Sequence, residues 1–172
     1  STILRVRPNP GLLHRGFEKL MERKLWFQNL SLIPRICVPD PDPNEVAYCT
    51  AIEKIMGVEI PERAKYIRTI TLEMSRLGSL LMGMGTVGGM IGLYTVMYRM
   101  INDRDFLLDL FEWLTGARIY HIYNVPGGVR KGLTEEERDD IVKRAEGFIE
   151  FGKFSLKLFE DDNRVEIYLK PS

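Results

Sequence analysis

The sequence predicts a mainly α fold, a long helical bundle with a short N-terminal strand and a C-terminal β-hairpin. Three observations carry this. The stretch from Leu77 to Tyr98, between Arg76 and Arg99, contains no charged residue. Helix-start signals recur at Asp42-Pro43, Pro61-Glu62 and Thr134. Between them the apolar residues keep a helical rather than an alternating period.

The uncharged stretch is long enough to span a bilayer, so its setting must be argued. It holds six glycines, at 78, 83, 85, 88, 89 and 92, each of which costs about 1 kcal/mol against alanine inside a helix. Such a helix needs close neighbours, and the pairs Gly85/Gly89 and Gly88/Gly92 are spaced to let backbones approach. Upstream, residues 61–76 keep helical period with charges on one face and run into the glycines without an interfacial break. We therefore read a central core helix, broken near Gly88-Gly89, with a membrane span as the competing reading.

Composition limits the rest. The 172 residues are one domain's length, and Lys+Arg equals Asp+Glu at 24 each, so the chain has no basic footprint for nucleic acid. A single glutamine, Gln28, amid abundant Glu, Lys and Arg leans weakly thermophilic. Cys37 and Cys49 make no disulfide framework, and nothing at the N-terminus resembles a signal peptide, so the expected setting is reducing and cytoplasmic. The ordinary reading of each cysteine is a small buried hydrophobe, and two are too few for a complete metal site. Two histidines without an H-E-x-x-H spacing offer no hydrolase geometry.

In chain order, residues 2–7 alternate like a strand and Pro8 to Gly11 stop it. A helix is expected from near Leu12, with His14 as a packing histidine. Ser31 to Asn44 holds four of the nine prolines and reads as a rigid loop that places side chains. Asp42 as N-cap, Pro43 at the first helical position and Glu45 as capping-box partner then open a helix over 44–56, which Gly57 ends. Pro61 with Glu62 launches the long helix. A further helix over 103–114 puts Phe106, Leu107, Leu110, Phe111 and Leu114 on one face and closes at Gly116. Ala117 to Val129 is aromatic, basic and turn-rich. Thr134 and Glu137 form another capping box for a charged helix to about Phe151. Residues 156–159 and 165–169 read as the two strands of a hairpin, giving a helical domain over 1–154 and a hairpin over 155–172 packed on it.

Four segments together carry a family resemblance: His14-Arg-Gly-Phe-Glu-Lys19, the run from Ala51 to Arg68, Leu108-Asp-Leu-Phe-Glu-Trp-Leu-Thr-Gly-Ala-Arg118, and Val125-Pro-Gly-Gly-Val129. They resemble the large subunit shared by respiratory complex I, the NADH:quinone oxidoreductase, where it forms the quinone site, and the membrane-bound nickel-iron hydrogenases. The similarity covers about residues 8–150, the N-terminal half of a longer family chain. It implies a helical bundle and favours the core-helix reading of 77–98.

The resemblance also implies site residues. In hydrogenases the segment matching Arg35-Ile-Cys-Val-Pro-Asp40 carries cysteines at the positions of Cys37 and Asp40, and a second pair near the C-terminus completes a four-thiolate site. Here Asp40 replaces one of them and no such later pair follows, so a nickel-iron centre is not expected. In the complex I branch a quinone-binding tyrosine falls at Val38, and its histidine partner has no match here. Arg35 matches an arginine beside the terminal iron-sulfur cluster of the neighbouring small subunit, where a fixed positive charge raises the reduction potential. A second residue beside that cluster, a histidine in the family, falls at Tyr120, with His121 next to it.

A loop with Cys37 but without the other thiolates or the quinone tyrosine is most similar to the archaeal membrane-bound sulfane sulfur reductases. That branch implies a peripheral subunit on the cytoplasmic side of the cell membrane. It would contact an iron-sulfur small subunit, other peripheral subunits and a membrane arm. It would receive electrons that originate in ferredoxin, and acceptor reduction would be coupled to ion movement. Cys37 would then act as a thiolate towards polysulfide, with Arg35 as the nearby positive charge and Asp40 beside it. A quinone-reducing subunit, and a scaffold that has lost its site, are the other readings.

Overall fold

A computed structural model describes residues 3–160, including the side chains of 3–147 and 157. Five helices are described: α1 (Phe17–Arg23), α2 (Asp42–Met56), α3 (Glu62–Met90), α4 (Tyr94–Thr115) and α5 (Glu135–Glu160). A two-stranded antiparallel hairpin, β1 (Asn124–Val125) with β2 (Gly128–Val129), sits between α4 and α5. The mainly α class is as the sequence predicts.

The antiparallel pair of α3 and α4 is the spine, and glycine makes it possible. A Cβ added at Gly85 would lie 3.1 Å from Met100 Cβ, and one at Gly89 would meet Met97 Sδ at 2.6 Å. The glycines remove the side chains that would hold α4 away. Leu81, Leu93, Val96, Met100 and Leu107 fill the space beside them.

The uncharged stretch is therefore two helices rather than one. The break falls at Ile91 to Leu93, where Gly92 takes φ 83°. There Gly92 N–H donates to Gly89 O (3.1 Å) and Leu93 N–H to Gly88 O (2.7 Å), the paired bonds of a Schellman cap. Gly88 and Gly89, expected at the break, stay helical because their value is close packing. Among the described residues no helix is long and apolar enough to cross a membrane.

Further corrections concern the edges. Residues 3–7 form no strand: Ile3, Leu4 and Val6 are exposed, and among the described residues no neighbouring strand offers a ladder. α1 begins at Phe17 because left-handed Gly16 (φ 64°) interrupts the chain ahead of it. His14 is exposed rather than packed. The expected first hairpin strand, 156–159, is the last turn of α5, since a run as short as Leu-Lys-Leu-Phe fits either period. The expected second strand, 165–169, lies outside the described residues. The hairpin that is described lies at 124–129, at the Pro-Gly turn.

Three helix ends match expectation. Gly57 (φ 66°) and Gly116 (φ 82°) end α2 and α4 in the left-handed conformation. At the start of α5, Thr134 N–H donates to Glu137 Oε2 (2.8 Å) and Glu137 N–H donates to Thr134 Oγ1 (3.1 Å), a reciprocal capping box.

Candidate functional site

The proline-rich loop lies against the loop that follows α4, and α2 holds both. Asp42 and Glu45 occupy the first turn of α2, three residues apart and hence on one helix face. Both are fully buried. The sequence suggested a side-chain cap from these two acids, but neither caps the helix in that way. They reach instead to the loop at 117–124.

That loop is built to receive a carboxylate. Tyr120 (φ 60°) and Ile122 (φ 47°) are left-handed without being glycine, a conformation costing about 1–2 kcal/mol each. The alternation turns successive N–H groups to one side. Ile122 N–H donates to Glu45 Oε1 (2.7 Å), while the N–H groups of Tyr123 (3.0 Å) and Asn124 (3.2 Å) donate to Oε2. Burial, and next the charge of Asp42, push the Glu45 carboxyl above its ordinary value, against the pull of these donors.

His121 turns inward. Its Nδ1 lies 2.9 Å from Asp42 Oδ2, its Nε2 lies 3.2 Å from the Arg118 carbonyl, and its ring stacks on Phe111 at 3.9 Å between centroids. Tyr120 turns the other way. The Arg35 guanidinium sits over the Tyr120 ring, 5.1 Å from its centroid. Arg35 itself is exposed, at the end of a 3₁₀ turn over Ile33–Arg35, and also donates to Ser31 O. Its carbonyl accepts from Arg15 Nη1 (3.1 Å).

The remaining expected residues separate. Asp40 Oδ1 accepts a hydrogen bond from Ser75 Oγ on α3 (2.8 Å), and the Asp40 carbonyl accepts one from Asn44 Nδ2 (3.2 Å). Cys37 is half-buried in the same loop. Cys49 is wholly buried, donates to Asn124 O (3.4 Å), and burial pushes its thiol up to about 12, so it is an inert packing group. A narrow cleft with room for about one water runs under the loop between Val38, Pro39, Pro41, Ser75, Arg104 and His121. Arg104 Nε is buried there without a protein partner, and burial makes its guanidinium less basic.

Arg35 and Tyr120 are thus brought together, as are Asp40 and Ser75, while His121 belongs to an inner cluster with Asp42 and Glu45. Sequence reasoning missed Asp42, Glu45 and Asn124 as site residues. Their partners lie more than seventy positions away, and a Pro-flanked acid pair at a helix start already has a local explanation. Arg104 gave no signal at all.

Comparison with known proteins shows what the chain as a whole is similar to. Residues 90–166 match the family described as "Respiratory-chain NADH dehydrogenase, 49 Kd subunit". The chain is 60% identical over 134 residues to an NADH-quinone oxidoreductase subunit of Thermosipho melanesiensis, covering 78% of this chain and 36% of that one. Over these segments the chain is similar to the complex I 49 kDa subunit family. A second relative, NADH-quinone oxidoreductase subunit 4 of Thermus thermophilus, is 40% identical over 144 residues, 84% of this chain and 35% of its own. An F(420)H(2) dehydrogenase subunit of Methanosarcina mazei is 40% identical over 135 residues, 78% of this chain and 36% of its own. By their names these relatives are subunits of oxidoreductases. The chain spans about a third of the length of the curated relatives it matches.

Among solved structures, the fold matches a chain in "Structure of the membrane-bound sulfane sulfur reductase (MBS), an archaeal respiratory membrane complex". The match has a TM-score of 0.84 and 41% identity, over 94% of this chain and 44% of the other.

Proposed function

We propose that the chain is part of a peripheral-arm subunit of a complex I-like membrane oxidoreductase. It lies on the cytoplasmic side, between an iron-sulfur small subunit and a membrane arm. The observation that carries this reading is the seating of exposed Arg35 on Tyr120, at the two positions where the family resemblance places residues beside the neighbouring cluster. A guanidinium held at that face would raise the potential of a cluster opposite it. The chain would hold no cluster of its own, and we do not assign it a nickel-iron centre. Beside half-buried Cys37 the matching carboxylate, Asp40, is taken up by Ser75.

In the same reading the loop from Pro34 to Pro43 lines the acceptor cavity, and the acceptor is sulfane sulfur. Two observations support this over a quinone: Val38 stands where the resemblance places a quinone-binding tyrosine, and the 41% identical structural neighbour comes from a sulfane sulfur reductase complex. The Cys37 thiolate attacks the terminal sulfur of a polysulfide and forms a persulfide, releasing the polysulfide shortened by one atom. Two electrons, originating in ferredoxin and delivered through the neighbouring cluster, with one proton, then return the thiolate and release hydrosulfide. Membrane partners couple this reduction to ion movement.

The test is purification of the complex from native membranes, with its partners identified by mass. Sulfide, hydrogen and quinol formation from reduced ferredoxin are then assayed in the parent complex and in Cys37→Ser. Sulfide formation that the serine variant loses supports the reading. Full activity in Cys37→Ser removes Cys37 from the chemistry, and quinol formation alone overturns the acceptor.

A further inference from the structure

We propose that His121 is a positioning residue, and that a proton shared between His121 and Asp42 holds Tyr120 beneath Arg35. The inference rests on the reading of the Arg35 face given above, and deepens it by naming what fixes that face.

Hydrogen-bond geometry supplies the proton. The two ring nitrogens of His121 face Asp42 Oδ2 (2.9 Å) and the Arg118 carbonyl (3.2 Å). Both are acceptors while Asp42 is ionised. A neutral ring has one N–H and would turn a lone pair on one of them. Both contacts close only if the pair carries one proton more, as an imidazolium beside a carboxylate or as a neutral ring beside a protonated Asp42. Either form leaves the pair uncharged overall, which suits a site where Asp42 is fully buried and His121 only 3% exposed.

Removal of that proton would place a net negative charge beside Glu45, also fully buried, three residues along α2. The other charged groups around the pair are engaged elsewhere, except that Arg104 Nε has no protein partner. On α4, Phe111 stacks on the ring, and Asp105, Asp109 and Glu112 are occupied with the Arg118 guanidinium. Arg104 shares the cleft wall with His121. On α3, Ser75 is bonded to Asp40, and Arg68 is paired with Glu53 of α2. One turn beyond Glu45, Cys49 is an un-ionised thiol. The 3₁₀ turn contributes Arg35, which lies over Tyr120.

The consequence reaches the outer face through the backbone. Tyr120 is the residue before His121 and sits in a left-handed conformation that its own side chain disfavours. Glu45 anchors the following residues, 122 to 124, but not the 118–121 segment. The Arg118 guanidinium ties the start of that segment to α4, and the Asp42 and Arg118 contacts of His121 tie its end. Without them Tyr120 is free to return to an ordinary conformation and leave Arg35.

Asp42→Asn separates proton from geometry. An amide N–H can donate to Nδ1 of a neutral ring whose Nε2–H donates to the Arg118 carbonyl, closing the latch with no shared proton. His121→Gln breaks the latch. In the assembled complex at neutral pH, redox titration of the neighbouring cluster by electron paramagnetic resonance should give the parent potential in Asp42→Asn and a shifted one in His121→Gln. A parent-like potential in His121→Gln, or a shift in Asp42→Asn as large as that in His121→Gln, overturns the proposal.

Arg35→Leu is the control for location. If it leaves the potential unmoved, the reading of this face fails, and the latch is then decided by hydrogen exchange of the 117–124 segment in the same complexes. Protection that is lower in His121→Gln than in the parent and in Asp42→Asn supports the latch. Equal protection in all three overturns it.

Discussion

Arg68 of α3 and Glu53 of α2 form a two-pronged ion pair, with Nη2 to Oε1 at 2.6 Å and Nη1 to Oε2 at 3.0 Å. Arg68 also donates to the carbonyls of Val125 and Gly128, and Glu53 accepts from Gly127 N–H. One pair thus joins α2, α3 and the hairpin. Both residues are buried, at 4% and 6% exposed, so removal of one partner strands the other.

Arg68→Met is therefore expected to destabilise the fold by about 3–5 kcal/mol. The double variant Arg68→Met/Glu53→Gln should lose less than the sum of the two singles, because no charge is left uncompensated. Urea denaturation of the four proteins checks this. Additive losses would mean that the pair is not coupled.

Acid should act through the same pair. Burial pushes the Glu53 carboxyl up, but the Arg68 hydrogen bonds, Gly127 N–H and the Arg68 charge outweigh it, leaving it below the ordinary 4.5. At Glu137 the Lys131 hydrogen bond and the Thr134 N–H act in the same direction. A carboxyl lowered on folding contributes stability that is fully present above its unfolded value and is lost as pH falls through its folded value. Thermal stability should accordingly fall below about pH 4.5, and Glu53→Gln should flatten that decline. An unchanged acid limb in Glu53→Gln would contradict it.

The glycines of α3 should divide by what they touch. Nothing lies within 4 Å of a Cβ added at Gly83, so Gly83→Ala should stabilise by up to about 1 kcal/mol through helix propensity. At Gly85 the added atom meets Met100 Cβ at 3.1 Å, with the Met97 carbonyl at 3.4 Å. There Gly85→Val should cost about 1–3 kcal/mol by pushing α4 away. Opposite shifts in melting temperature are the expected result.

These glycines also show what was legible in the sequence. Six of them in an uncharged run announced a close helix contact, and local signals placed Gly57, Gly116 and the Thr134/Glu137 box correctly. The turn at Ile91 to Leu93 was not legible, because any of several glycines can adopt its positive φ and only the packing of α4 on Gly85 and Gly88 selects Gly92. At the site, the resemblance named Arg35 and Tyr120, and the structure pairs them. The inner cluster was invisible for a different reason. Asp42 and Glu45 satisfy a local capping pattern, and nothing short of the fold reveals that the loop at 120–124 competes for both carboxylates.

Glu45 gives that competition a measurable form. Its oxygens accept the N–H groups of Ile122, Tyr123 and Asn124, so Glu45→Gln turns an amide N–H towards groups that are themselves donors. A buried donor left unmatched costs about 1–3 kcal/mol, whereas the buried charge removed at the same time returns part of that loss. The sign of the pH effect separates the two. Burial and Asp42 raise the Glu45 carboxyl above its ordinary 4.5, and a carboxyl raised on folding contributes stability that is present below the unfolded value and lost as pH rises through the folded one. Glu45→Gln should thus be less stable than the parent at pH 4, and the gap should narrow towards neutrality as the parent alone ionises a buried group. Melting curves at pH 4 and pH 7 test it. A gap that widens with pH would mean that the loop's N–H groups, and not burial, govern Glu45.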